Sequence, residues 1–221
     1  MRITTPLLAA TLTLLLPAPS AAAQTATDPA LQEWEVPYSQ SRPRDPMVAP
    51  DGRVWFVGQV GNYVSVLDPK TGSFEKFDMD EGVNPHNLIV DADGTVYYSG
   101  NRASHIGRLD PETGDVEKFM MPDERARDPH TLIFDSMGDV WFTAQNGNFV
   151  GKLWTETGEV RLLETPSAPG RGGRMGSSRP YGIVMDSRDH PWIALFNTNM
   201  IATVDPESMQ LKTFDLPDEG S

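Results

Sequence analysis

The sequence predicts an all-β protein, a β-propeller of four-stranded antiparallel blades, and three observations carry that prediction. One unit recurs four times: a proline at Pro43, Pro85, Pro129 or Pro180 stands twelve residues before an aromatic at Trp55, Tyr97, Trp141 or Trp192. Spacing inside the unit is constant, whereas the units follow one another in steps of 42, 44 and 51 residues. Such steps fall in or just above the range of propeller blades. Finally, turn signals of the type Asp-Ala-Asp-Gly and Asp-Pro-x-Thr-Gly separate the apolar runs, and no stretch carries a helical period.

The N-terminus stands outside this pattern. Met1-Arg2, an apolar run from Pro6 to Leu16, and Ala21-Ala22-Ala23 before Gln24 read as a secretory signal peptide over residues 1–23, cleaved near Ala23/Gln24. The run is too short to span a bilayer, which takes about 20 residues. The mature chain, 24–221, is therefore expected in the periplasm or outside the cell, as one propeller domain.

Residues 31–37 (Leu31 to Pro37) align with Val116 to Pro122 and predict a closing strand, an outer strand D with no A, B or C before it. Four blades follow at approximately 43–78, 85–121, 129–165 and 180–217. In the second blade, His86 to Asp91 is strand A, and Asp91 to Gly94 is a turn whose glycine supplies the left-handed position. Thr95 to Ser99 is strand B, Gly100 to Ser104 a polar loop and His105 to Leu109 strand C. Asp110-Pro111-Glu112-Thr113-Gly114 is a hairpin turn before strand D, Asp115 to Met121. The matching C–D turns are Asp68 to Gly72, Trp154 to Gly158 and Asp205 to Ser208. Stacked β-units of a solenoid are the competing arrangement. Five D strands against four A–B–C sets predict an incomplete ring, a C-terminally truncated six- or seven-bladed propeller; complete rings of that size need roughly 260 to 300 residues. An open arc and closure by oligomerisation are the alternatives, and a complete ring is expected to be a monomer.

Composition narrows the function. Net charge is −13, which argues against nucleic acid, whose phosphates demand basic patches. There is no cysteine, hence no disulfide or thiolate chemistry. No later segment is long and apolar enough for a membrane span.

In a propeller the D-to-A crossovers and B–C loops converge on one mouth. The residues after the key prolines, Arg44, His86, His130 and Tyr181, start strand A there. B–C loops add carboxamides, among them Asn101, Asn148 and Asn199. Convergent polar groups at a concave centre define the expected site for a small-molecule or peptide ligand. His86 and His130 are the candidate catalytic residues, as general base or metal ligand, against a plain turn-capping role. Arg44, Tyr181, Asn101, Asn148 and Asn199 are the candidate binding residues. His105 and His190 lie elsewhere and read as structural, and Trp55, Tyr97, Trp141 and Trp192 read as core. Carboxylates are scarce at the mouth, where Asp45 and Asp128 have no evident partner, so no metal ligand set is found. The basic segment Ser167 to Arg179 lengthens one crossover and reads as a surface insertion, a lid or an anion-recognising loop.

Pro-His-x-Leu…Val-Trp-Phe-Thr…Gly-Asn-x-Val-Gly-Lys-Leu at 129–153, with His105-Ile106-Gly107-Arg108-Leu109 and the Asp-Pro-x-Thr-Gly turns, resembles the virginiamycin B lyase (streptogramin lyase) family. The likeness runs from about Trp34 to Pro217. It implies a seven-bladed propeller and a carbon–oxygen lyase that opens the ester of a cyclic depsipeptide by elimination, with a magnesium ion and a histidine base. The family's Pro-His-Gly-Ile motif matches Pro85-His86 and Pro129-His130 by type, and Pro180-Tyr181-Gly182-Ile183 with tyrosine for histidine. The metal-holding glutamate, three residues after the tryptophan, is replaced by Gly58, Gly100, Ala144 and Leu195. The expectation is an exported lyase-like propeller whose catalytic blades lie beyond Ser221. A non-catalytic periplasmic propeller binding a peptide, glycan or protein at its mouth, and a lactonase-like hydrolase, are the alternatives.

Overall fold

The computed structural model describes residues 31–169 and 175–217, and residues from Trp34 onward form one compact unit. The signal-peptide reading lies outside the described residues. Among those described there is no helix, and so none long and apolar enough to cross a membrane.

Four sheets are built in chain order. The first holds β1 (Pro43–Val48), β2 (Val54–Gly58), β3 (Tyr63–Asp68) and β4 (Ser73–Asp78). The second holds β5 (Leu88–Val90), β6 (Val96–Gly100), β7 (His105–Leu109) and β8 (Val116–Met120). The third holds β9 (Pro129–Phe134), β10 (Val140–Ala144), β11 (Phe149–Leu153) and β12 (Val160–Glu164). A short ladder of β13 (Ala168–Pro169) and β14 (Met175–Gly176) precedes the fourth sheet, β15 (Pro180–Met185), β16 (Pro191–Leu195), β17 (Met200–Asp205) and β18 (Gln210–Asp215). Each large sheet is an antiparallel meander with sequential strand order, as the repeat predicts for a blade.

The C–D turns behave as their glycines require. Gly72, Gly114 and Gly158 take φ of 74°, 76° and 75°, values that cost an L side chain energy. Met209 occupies the same place in the fourth blade at φ 54°. Its amide donates to Asp205 O at 2.8 Å, just as Gly72 N donates to Asp68 O.

Alternating strand residues face opposite neighbours, and the core lies between blades. Trp55, Val57 and Val64 of the first sheet meet Leu88, Val96 and Tyr98 of the second. Ile89, Tyr97 and Ile106 meet Leu132, Val140 and Phe142 of the third, whose Trp141 and Val150 meet Ile183, Ile193 and Leu195 of the fourth. Each fully buried side chain of this size stabilises by about 1.5–3 kcal/mol. The repeated aromatics are core, as expected: Trp55, Tyr97 and Trp141 are buried and Trp192 is half-buried.

One expectation is corrected. Residues 31–37 form no strand, because in each of the four-stranded sheets strand C is already paired with a strand D of its own blade. Its aromatic nevertheless sits where an outer strand would put it. A Cβ on Gly72 would lie 3.5 Å from the Trp34 ring, as one on Gly114 would lie 3.8 Å from Phe77 and one on Gly158 3.1 Å from Phe119. Trp34 thus holds against blade 1 the place that Phe77 and Phe119 of the D strands hold against blades 2 and 3. Strand A of the second blade is also shorter than predicted, Leu88–Val90 rather than His86 to Asp91. Its first residues bond irregularly, with His86 N donating to Ser99 O and Ser99 N to Asn87 O.

Candidate functional site

The mouth is set by backbone before side chains enter. The residue preceding each key proline is left-handed: Arg42 at φ 48°, Asn84 at 44°, Asp128 at 65° and Arg179 at 53°. Non-glycine residues seldom take this conformation. In three of the blades it turns the carbonyl toward the B–C loop of the same blade. Arg42 O accepts from Gln59 N at 3.3 Å, Asp128 O from Gln145 N at 3.0 Å, and Arg179 O from Phe196 N at 3.1 Å. Just beyond the proline the A–B register slips in three of the blades, between Arg44 and Met47, between Pro129 and Leu132, and between Pro180 and Ile183. Such irregularities re-aim a side chain that would otherwise follow the pleat.

Four residues named from the repeat are brought together in this way. The His86 and His130 rings lie 3.7 Å apart, centroid to centroid, and His130 lies 4.3 Å from Tyr181. Phe196 continues the row, 5.7 Å from Tyr181. Arg44 stands at the His86 end, its Nη1 donating to Gln59 Oε1 at 3.2 Å and its Nε 3.5 Å from Asp45. Arg179 stands at the other end, 5.7 Å from the Phe196 centroid. Both carboxylates that lacked an evident partner have one. Asp45 accepts from Asn87 Nδ2 at 3.2 Å, and Asp128 accepts from Asn101 and, at 2.6 Å, from Asn146. Burial pushes the Asp128 carboxyl above the usual range. The Gln145 amide fits with its nitrogen donating to Asp128 at 3.1 Å and its oxygen accepting from Arg179 Nη2 at 3.3 Å.

The imidazoles are buried, 6% exposed for His86 and 5% for His130. Burial, with the neighbouring His130 and Arg44 charges, holds His86 down to about 3. Burial, with Arg44 and Arg179, holds His130 down to about 4. Both rings are neutral at pH 7. His130 Nδ1 lies 3.0 Å from Thr131 Oγ1, whereas His86 Nδ1 is 3.7 Å from Asp45 and makes no hydrogen bond. Among the described residues, three buried side-chain nitrogen or oxygen atoms have no hydrogen-bond partner: Arg44 Nε, His86 Nδ1 and Arg179 Nε. All three belong to this mouth.

The carboxamides predicted to bind ligand are engaged elsewhere. Asn148 is buried; its Nδ2 donates to Thr165 O at 2.6 Å and its Oδ1 accepts from Ser178 N at 2.7 Å. Asn199 Nδ2 donates to Leu216 O at 2.8 Å. These side chains tie the start of strand C to the segment leaving strand D, as Asn62 does through Met79 O, so their recurrence is structural. Asn101 lies at the mouth but holds Asp128 and Pro129 O. His105 is buried over Gly100, and His190 pairs with Asp186 at 3.5 Å, both in structural places. Of the basic segment 167–179, residues 170–174 lie outside the described residues.

Two mouth residues were missed as site residues. Phe196 holds the same offset from its strand B aromatic as Gln59, Asn101 and Gln145. Arg179 precedes a key proline as Asp128 does. The repeat alignment therefore contained the signal for both.

A magnesium site does not fit the residues present. The four positions where the resemblance expects a glutamate pair in register with ring or long apolar side chains of strand C: Gly58 with Tyr63, Gly100 with His105, Ala144 with Phe149 and Leu195 with Met200. A Cβ on Gly58 would meet the Tyr63 ring at 2.1 Å, and one on Gly100 the His105 ring at 2.4 Å. In the first two blades the space of the carboxylate is filled. Among the described residues no three His, Asp or Glu side chains converge as a ligand set.

Comparison with known proteins agrees with this geometry at the level of fold. Residues 20–171 match the virginiamycin B lyase family. A catalytically inactive histidine-to-alanine variant of virginiamycin B lyase from Staphylococcus aureus, solved with quinupristin, superposes with a TM-score of 0.74 at 26% identity, covering 86% of this chain and 61% of that one. A streptogramin B lyase structure gives 0.74 and 26%, covering 85% and 59%. A putative 6-phosphogluconolactonase from Bacteroides uniformis, at 11% identity and a TM-score of 0.58 over 79% of this chain and 55% of that one, shares the fold alone. The chain spans about 60% of the length of the two lyase structures. No curated protein matches it.

Proposed function

The chain belongs to the virginiamycin B lyase family, and from that premise we propose that it is an exported, streptogramin-lyase-like propeller whose mouth receives a cyclic depsipeptide. The observation that carries this reading is the row of His86, His130 and Tyr181 rings, stacked at one mouth by three successive blades. Export rests on the leader-like pattern of residues 1–23.

Ring opening by elimination takes a proton from the carbon beside a carbonyl. A carbon–carbon double bond forms, the ester C–O bond breaks, and its electron pair leaves on the carboxylate. A base for that step works best when its pKa lies near the operating pH. His86 and His130, at about 3 and about 4, are neutral but weak acceptors, and little of either reaches solvent. Their part in this chain is to position or polarise the substrate. Arg44 and the Tyr181 phenol, both more exposed, supply donors toward a carbonyl oxygen.

The same burial favours a second reading, a propeller that binds a peptide-like ligand at its mouth without turning it over. One experiment separates the readings. The protein is incubated with quinupristin, and the mixture is resolved by chromatography and mass spectrometry. Elimination yields an isomer of unchanged mass with a new double bond. Hydrolysis, the lactonase-like outcome, adds one water. Intact quinupristin that co-elutes with the protein supports binding alone and removes the lyase reading.

A further inference from the structure

We propose that the face of the fourth sheet turned away from the third is the seat of a second copy of this chain, the two copies meeting face to face about a two-fold axis. The proposal goes beyond the lyase reading and does not rest on it.

In each of the first three blades one sheet face packs on the next blade. The fourth blade builds that face in the same way. Trp192 and Phe214 stack at 5.5 Å and 27°, as Trp55 and Phe77 do at 5.6 Å and 25° in the first blade. There the pair is covered: Trp55 is buried, and a Cβ on Gly114 of the second blade would lie 3.8 Å from Phe77. Among the described residues no sheet covers Trp192 and Phe214. The pairs Val184 with Trp192, Ala194 with Ile201 and Ile201 with Phe214 put these five uncharged side chains on one side of the sheet. Val184 is 63% exposed, and a hollow of about 390 Å³ beside Val184, Ala194 and Ile201 is apolar apart from Thr131. Contiguous apolar surface of this kind marks a site of association.

The face continues a series whose other three members are interfaces, and each of those is covered by a sheet face with apolar residues in alternation. The occupant must match that shape. The opposite end of the molecule cannot supply it freely, because the chain's own residues 34–38 lie there. Tyr38 is 5.0 Å from Tyr63 and 6.4 Å from Phe74, Trp34 rests over Gly72, and Phe56 and Tyr63 are buried. A head-to-tail contact is therefore obstructed. The open sheet face that a second copy brings is the same one, which makes the contact isologous and closed at two chains.

Sedimentation of the protein from about 1 μM to about 1 mM, the span of weak to moderate association, should show the mass rising from one chain to two and no further. Val184→Glu and Ala194→Glu, at exposed positions on the face, would each bury a carboxylate in an apolar contact. Each should raise the dissociation constant at least about tenfold. Val48→Glu, on the exposed part of the first blade, should leave it unchanged. Unfolding midpoints of all three variants, taken at the dilute end, establish that they are folded. A single chain at every concentration, a mass that grows past two, a dimer that survives both fourth-blade variants, or one that dissociates in Val48→Glu overturns the proposal. Because quinupristin carries the test of the lyase reading, either idea can fail while the other stands.

Discussion

Two buried polar clusters in this protein use the same kinds of side chain and end in opposite states. On the turn side of the third blade, Lys152 lies 2.8 Å from Asp135 and 3.0 Å from Asp139 and rests over Trp141 and Trp154. Trp141 Nε1 donates to the same Asp135 oxygen at 3.1 Å, and backbone amides of Met137 and Asp139 take the other. Every carboxylate oxygen of Asp135 has a donor. At the mouth, two guanidiniums and two imidazoles are also packed among carboxylates and amides, but three of their nitrogens have no acceptor. A buried donor without a partner costs roughly 1–3 kcal/mol. A saturated network serves the fold. The mouth, among the described residues, is where buried nitrogens are left without a partner.

The contrast can be broken from either side. The largest effect should come from Lys152→Met, which strands the buried Asp135 carboxylate and the half-buried Asp139. We expect a loss of about 3–5 kcal/mol in denaturant unfolding, and a loss under about 1 kcal/mol, as for an exposed pair, would show that the cluster is not the lock it looks to be. The next is acid. His86 and His130 titrate near 3 and 4 in the fold against an ordinary 6.5. As pH falls below 6.5 the unfolded chain takes up the protons first, so stability is complete above 6.5 and drains away down to about 4 for His130 and about 3 for His86. Allowing for solvent screening at the mouth, the loss is on the order of 2 kcal/mol. It should shrink in His130→Gln when unfolding is compared at neutral and acid pH. An unchanged slope in that variant would place the acid sensitivity elsewhere. The smallest is Arg44→Gln. Because its contacts with Gln59 and Asp45 are long and the pair is partly exposed, its removal should cost no more than about 1 kcal/mol. A large loss would assign Arg44 to the fold and erase the distinction between the two clusters.

The repeat made most of the architecture legible. Constant spacing from proline to aromatic placed the blades and the residues that face the mouth, because both are set by backbone geometry that recurs. The mouth row of Arg44, His86, His130 and Tyr181 was readable for that reason. What recurs for structural reasons was misread as chemistry: Asn148 and Asn199 repeat because they staple the blade, and spacing alone does not distinguish a staple from a ligand. What occurs once was invisible. Lys152 stands where the other blades carry Val66, Arg108 and Thr203, so no pattern announced its partnership with Asp135. Likewise the Trp34 segment was legible as an outer-strand equivalent, but not that each described strand C is already paired with a strand D of its own blade.

The left-handed residue before each key proline has a consequence for how such a mouth diversifies. In three of the four blades its carbonyl fastens the crossover to the loop of its own blade, and Ser99 and Thr143 of the preceding blades hold the carbonyls of His130 and Tyr181, so the aim of a mouth residue is set by backbone contacts that do not depend on its side chain. Arginine, histidine, histidine and tyrosine can therefore occupy equivalent stations around one ring. Substitution at one station rewrites the recognition surface locally, and duplication of a blade delivers a new station already pointed at the centre.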